Sequence, residues 1–218
     1  MIVDERIIAY INSLEIELPE ELLSLEQEAL TNQVPIIKKE TQGLLKFLLL
    51  LKQPKHILEV GTAIGFSALF MSEYSNKDCL ITTIEKVPMR IVEAEKNFSK
   101  ECFLHKDKIM LQKGDALEVL KDLAGLGERY DFVFLDAAKA QYMNFLPEIM
   151  KLLDEGGMLL TDNVLQNGTV IHSRYSITRR DRTIHSRMRE YLYTIKHMQE
   201  LETVILPVGD GVSISIRV

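Results

Sequence analysis

The chain has 218 residues, of which 46% are hydrophobic and 27% charged, with a net charge of −6. That suits one large soluble domain, and the two cysteines, Cys79 and Cys102, make neither a metal-ligand spacing nor a disulfide framework. No apolar run approaches the roughly 18 residues of a membrane span, and the opening Met1-Ile-Val-Asp-Glu-Arg6 lacks a signal-peptide pattern, so a cytoplasmic protein without a membrane partner is expected.

Residues 4–31 read as two amphipathic helices broken near Pro19, with apolar Ile7, Ile8, Ile11 and Leu14, then Leu22, Leu23 and Leu25. Core packing is the default for those faces, although their length and acidity also suit a lid or an oligomer contact. Val34-Pro-Ile-Ile37 is a short extended link, because proline disfavours helix in the residue before it, and an apolar helix follows over about Lys39–Leu51. From His56 the pattern alternates between strand and helix. Strands are expected at His56–Val60, Leu80–Ile84, Lys108–Gln112, Asp131–Leu135 and Met158–Thr161. The helices between them fall near Phe66–Tyr74, Pro88–Lys100, Ala116–Leu123 and Gln141–Leu153. A long basic helix over about Arg179–Met198 leads to strands at Glu202–Pro207 and Val212–Val218, joined by the hairpin signal Val208-Gly-Asp-Gly211. The fold class predicted is α/β: a Rossmann-like, doubly wound sheet of seven strands, mostly parallel, with a C-terminal antiparallel hairpin and N-terminal helices. Residues 1–218 form one domain in this reading, with 1–52 a helical lid or dimer region and 53–218 the catalytic core.

The chemistry-bearing residues fall where strands end, which is where ligands bind in such sheets. Strand one runs into Glu59-Val-Gly-Thr-Ala-Ile-Gly65-Phe-Ser67. Gly61 and Gly65 permit a tight turn and a close approach to a ligand at a helix N-terminus. Their G-x-x-x-G spacing is not the dinucleotide fingerprint, which disfavours a nicotinamide enzyme. Glu59 would repel a pyrophosphate and attract an ammonium group, which better suits S-adenosylmethionine. Strand two ends in Glu85, placed to grip a ribose diol, and strand three in Lys113-Gly114-Asp115-Ala116, placed to bracket an adenine.

The fourth strand, Phe132–Leu135, is a continuous apolar run that hands off to Asp136 and Lys139. An N-cap is the simple alternative for Asp136. After the fifth strand comes Thr161-Asp162-Asn163, which by itself would read as a turn. Together, Asp136, Asp162 and Asn163 offer three oxygen ligands at adjacent strand ends, suited to a hard cation such as Mg²⁺, with Mn²⁺ or Ca²⁺ also possible.

The strings ILEVGTAIGFSA, VFLDAAK, TDNVLQNG and LPVGDGVSISIR, with Glu85 between, resemble the divalent-cation-dependent O-methyltransferases of the catechol and caffeoyl-CoA group. The likeness runs from about Val34 to the C-terminus. It implies Asp136, Asp162 and Asn163 as metal ligands and Lys139 as general base. Ile37, Glu59, Gly61, Ala63, Ser67, Glu85, Gly114, Asp115, Ala116 and Asp136 would line the cofactor site. The family usually forms homodimers.

A metal-chelated acceptor needs two adjacent oxygens, as in a catechol or in 5-hydroxyuridine. Between Leu165 and His197 lie seven basic residues and two acidic ones, a local +5 that leaves −11 for the remainder. Arg174, Arg179, Arg180, Arg182, Arg187 and Arg189 there are candidates for RNA phosphates. A solvated helix face or a salt-bridged dimer contact is the plainer account. The RTIHSRMREYL stretch is similar to a bacterial subgroup that methylates 5-hydroxyuridine at the wobble position, which implies tRNA, at its anticodon, as partner. The competing expectations are a small-molecule catechol or hydroxycinnamoyl methyltransferase and a non-catalytic RNA-binding module.

Overall fold

The computed structural model describes residues 3–103 and 106–218. Seven strands form one sheet: β1 His56–Val60, β2 Leu80–Glu85, β3 Ile109–Lys113, β4 Tyr130–Leu135, β5 Leu153–Thr161, β6 Leu201–Leu206 and β7 Val212–Arg217. Their order is β3-β2-β1-β4-β5-β7-β6. β1 to β5 run parallel, while β7 is antiparallel to both β5 and β6. The expected parallel sheet with a terminal hairpin is the observed one.

Strands of a sheet covered on both faces need apolar residues at successive positions. In β4, Phe132 and Phe134 join the core on one face, and Val133 and Leu135 the core on the other. The first face is covered by α2 (Glu20–Thr31), α3 (Lys39–Lys52) and α4 (Phe66–Tyr74). The second is covered by α6 (Ala116–Gly125), α7 (Tyr142–Leu152) and α8 (Arg182–His197). α5 (Pro88–Phe98) links β2 to β3, with its proline in the first turn, where a missing N–H costs nothing.

Three expectations need correction. Helix α1 (Glu5–Ser13) does not pack its apolar face into the core: Ile7, Ile11 and Leu14 are 52%, 45% and 65% exposed. Periodicity marks an apolar face but not what covers it; in α2 the same kind of face buries Leu22 and Leu25. β5 begins at Leu153 rather than Met158, because Leu153 still pairs with Tyr130 across a register shift. The polar Asp154-Glu-Gly-Gly157 conceals that extension, with Gly156 at φ +68°. α8 starts at Arg182, since Thr178–Asp181 is a turn closed by Asp181 N–H to Thr178 O (3.0 Å) and by the Thr178 hydroxyl to Asp181 Oδ2 (2.6 Å).

The chain reverses its direction of travel across the sheet between β1 and β4. In α/β sheets such a switch point opens a crevice at the carboxyl ends of the strands. Gly61 and Asp136 stand on either side of it. Asp136 N–H donates to Val60 O at 3.1 Å. A Cβ on Gly61, at φ +108°, would lie 2.1 Å from the Asp136 carbonyl oxygen. The missing side chain at Gly61 therefore makes room for the neighbouring strand, not for a ligand alone. At Gly65 a Cβ would meet the Phe98 ring at 2.5 Å, so that glycine seats α5.

Candidate active site

A cavity of about 610 Å³ opens at this crevice. It is lined at the end beside β1 to β3 by Ala63, Ser67, Glu85, Gly114, Asp115 and Ala116, and at the end beside β4 and β5 by Asp136, Lys139, Asp162, Asn163 and Asp210, the last paired with Lys38; Ile37 also lines it. Every expected cofactor residue except Glu59 reaches this lining.

Glu59 lies beneath it, wholly buried on β1 opposite Thr83 of β2. The Thr83 hydroxyl donates to its Oε2 and also meets the Thr62 hydroxyl, whereas Oε1 has no hydrogen bond among the described residues. Burial pushes the Glu59 carboxyl up to about 7, partly offset by the Ser67 and Thr83 hydroxyls.

Glu85 is held differently. Its Oε1 accepts main-chain N–H groups of Lys86 (2.8 Å) and Val87 (2.9 Å), and its Oε2 accepts that of Ala63 (2.9 Å). Ala63 adopts φ +48°, a conformation few side-chain-bearing residues take. The turn after β1 is thereby clamped to the end of β2. Asp115 caps α6, its Oδ1 accepting Leu117 N–H at 3.0 Å, and its Oδ2 lies 3.4 Å from Lys86 Nζ.

At the other end, Asp136 caps no helix; the N-cap of α7 is Gln141. Its Oδ1 instead accepts from Asn163 Nδ2 at 3.0 Å. Asn163 sits at φ +64°, which asparagine tolerates, and its N–H donates to Asp162 Oδ1 at 2.7 Å. Burial raises the Asp162 carboxyl to about 7, and the negative charge of Asp136 adds to it. Asp136 is likewise raised by burial, with Lys139 and Asn163 pulling the other way. Two acids in a buried crevice thus oppose each other's ionisation.

This donor set suits a hard divalent cation, which would relieve that opposition. Among the described residues no group of three His, Cys, Asp or Glu side chains is placed to hold a metal ion, so a cation held here would need the Asn163 amide as a third donor. Binding a cation requires the amide to present its oxygen, a half-turn from the orientation described.

The residues 10–218 match the family model for O-methyltransferases. The chain belongs to the O-methyltransferase family. The methyltransferase is 31% identical over 130 residues to a catechol O-methyltransferase of Niastella koreensis, a match covering 58% of each chain. A Staphylococcus aureus structure, provisionally named a caffeoyl-CoA O-methyltransferase, superposes with a TM-score of 0.85 at 30% identity, over 98% of both chains. The fold is shared with a Bacillus cereus O-methyltransferase solved in complex with SAH, at a TM-score of 0.84 and 20% identity, over 98% of this chain and 97% of that one.

Local reading of the methyltransferase missed Asp210 and Lys38. Asp210 Oδ1 meets Lys38 Nζ at 2.6 Å, and its negative charge raises both Asp136 and Asp162. The hairpin before β7 carries it there, zipped to the turn after β5 by Val164 N–H to Gly211 O (2.8 Å) and Leu165 N–H to Asp210 O (3.0 Å). An aspartate between two glycines reads as turn chemistry, so no local signal marked it.

The arginines of the basic segment are not equivalent. Arg182 donates to Ile177 O (3.2 Å), Arg187 to Ala140 O (2.5 Å) and Arg189 to Val170 O (3.1 Å). Arg179 and Arg180 are exposed, as is Tyr175 at 89%. The side chain of Arg174 lies outside the described residues. Among the described residues no helix is long and apolar enough to cross a membrane.

Proposed function

We propose that the protein transfers the methyl group of S-adenosylmethionine to a hydroxyl that has a second oxygen beside it. The observation that carries this reading is one cavity with an N–H-clamped glutamate at one end and, at the other, an acidic pair, Asp136 half-buried and Asp162 buried, with Lys139. The fit to the cofactor rests on donor chemistry. Glu85 and Asp115 offer acceptors to a ribose and base. S-adenosylmethionine supplies a methyl group on a positively charged sulfur. Asp136, Asp162 and Asn163 would hold a divalent cation, Mg²⁺ in our reading, which would make a chelated hydroxyl more acidic.

The chain's own residues do the rest. Asp136 and Asp162 would hold the cation and so set where an acceptor with two adjacent oxygens could sit beside the cofactor turn. Lys139 takes the hydroxyl proton on its Nζ. The apolar wall of Ile37, Ile64 and Phe66 keeps water from competing for the methyl group. Charge at sulfur is lost as the methyl group moves, so positioning is the main demand on the protein.

For the acceptor we infer 5-hydroxyuridine in the anticodon of tRNA, whose 5-hydroxyl lies beside the 4-carbonyl. Exposed Arg179, Arg180 and Tyr175 support it, as groups that meet phosphates and stack on bases. A second reading, a small catechol, is favoured by the catechol O-methyltransferase relative. The protein acts as a homodimer in this reading, since α1 leaves Ile7, Tyr10, Ile11 and Leu14 exposed.

One assay separates the acceptors. Purified protein receives labelled S-adenosylmethionine with 5-hydroxyuridine-containing tRNA or with catechol, each with and without chelator. Label recovered as 5-methoxyuridine and lost with chelator is the expected result. Label in catechol and none in tRNA assigns the small-molecule reading instead.

A further inference from the structure

We propose that Arg187 is a positioning residue that fixes the turn bearing Lys139. The inference rests on Lys139 being the base and goes beyond it, because it says what holds that base in place. Lys139 stands on a single 3₁₀ turn, Lys139–Gln141, between β4 and α7. Its internal bonds are Gln141 N–H to Ala138 O (2.7 Å) and Tyr142 N–H to Lys139 O. So short a turn stabilises itself weakly. The Ala140 carbonyl receives Arg187 Nη1 at 2.5 Å, across 47 residues of sequence.

Arg187 is a suitable anchor because its helix is immobilised. Met188 and Tyr191 of α8 are wholly buried. The Tyr191 hydroxyl lies 2.7 Å from Thr161 Oγ1, on the residue before Asp162. Tyr191 also meets Tyr142 edge-on at 5.5 Å, and the Tyr142 hydroxyl donates to Asp162 O at 3.2 Å. One helix therefore sets both partners of the chemistry: Lys139 through Arg187, and Asp162 through Tyr191 and Tyr142. The separation between base and acidic pair depends on that shared reference. A misplacement of about 1 Å at such a centre costs on the order of 10²-fold in rate.

The test is a double-mutant cycle with Arg187→Met and Lys139→Met, using 5-hydroxyuridine-containing tRNA and 3,4-dihydroxybenzoate as probe acceptors. Arg187→Met is expected to lower kcat by about 10- to 100-fold, with acceptor KM and SAH affinity within twofold of the parent. In the Lys139→Met background it should cost almost nothing more, since the group it positions is gone. An equal loss in both backgrounds, or a loss confined to KM for tRNA, overturns the positioning role. Wild-type turnover in Lys139→Met alone is a different failure, that of the base assignment. Independently of turnover, amide exchange at 139–142 should quicken at least tenfold in Arg187→Met while β4 is unchanged; unchanged exchange at the turn also overturns the proposal. Should that variant fail to fold, Arg187→Lys, with a cation but no planar fork, carries the same cycle with a smaller loss.

Discussion

The two ends of the cavity differ in how finished they are. At the cofactor end, Glu85 has three main-chain N–H groups on its two oxygens, and Asp115 caps a helix. That end is preorganised: its charges are met by the fold before any ligand arrives. At the acidic end, Asp136, Asp162 and Asp210 converge with Lys139 and Lys38 as the facing cations, and burial raises Asp136 and Asp162. Folding stabilises the first arrangement and merely tolerates the second. The contrast teaches which end the proposed function draws on: in that reading a cation and an acceptor would complete the acidic end.

Breaking the acidic end should have the largest effect. Asp162→Asn removes the charge of a proposed cation ligand, and turnover is expected to fall by about 10³-fold or more. The same change should raise the melting temperature of the metal-free protein at pH 8, because a repelling charge is gone. A lowered melting temperature would show that the Asp162 charge is met by the fold as well as that of Glu85. Next in size, Lys139→Met should slow single-turnover methyl transfer by about 10²- to 10⁴-fold and leave SAH affinity unchanged by calorimetry. Equal losses in transfer and SAH affinity would exclude the role as base.

At the finished end the signs reverse. Glu85→Gln keeps the shape but weakens the N–H bonds, so it should lower the melting temperature. It should also weaken SAH binding by about 10- to 100-fold, as expected when charge-assisted hydrogen bonds are lost. The smallest effect is one of pH. Glu59 has its folded-state pKa raised from 4.5 to about 7. The neutral form favours the fold, so this contribution is complete below about pH 4.5 and is lost as pH rises through 7. It amounts to about 3 kcal/mol, or roughly 6–12 °C in melting temperature for a chain of this size. Asp162 acts in the same direction. The metal-free protein should therefore melt lower at pH 8 than at pH 5, and Glu59→Gln should flatten that slope. A slope unchanged by the substitution would show that Glu59 titrates elsewhere.

Much of this site is legible in the chain because it is written locally. An apolar run buried on both faces identifies β4, and the abrupt change to Asp136 marks where it ends. Gly61 and Gly65, Glu85, and Asp162-Asn163 mark the other strand ends in the same way. Strand ends of a parallel sheet share one edge, so residues far apart in sequence could be placed together without knowing any contact. Local pattern was silent elsewhere. It could not say that α1 leaves its apolar face uncovered while α2 buries its own, since both show the same helical period.

What the sequence by itself determined, then, is the order of strands and helices and the acids at their ends, because period and composition are properties of neighbouring residues. Only the tertiary structure decided that Asp210 joins the acidic pair, because a hairpin must first zip to the turn after β5. It also decided that Arg187 spends a donor on the turn bearing Lys139 while Arg179 and Arg180 face solvent. An arginine on a helix reads alike in both settings; which carbonyl stands opposite is set by packing between elements, and no local pattern encodes it.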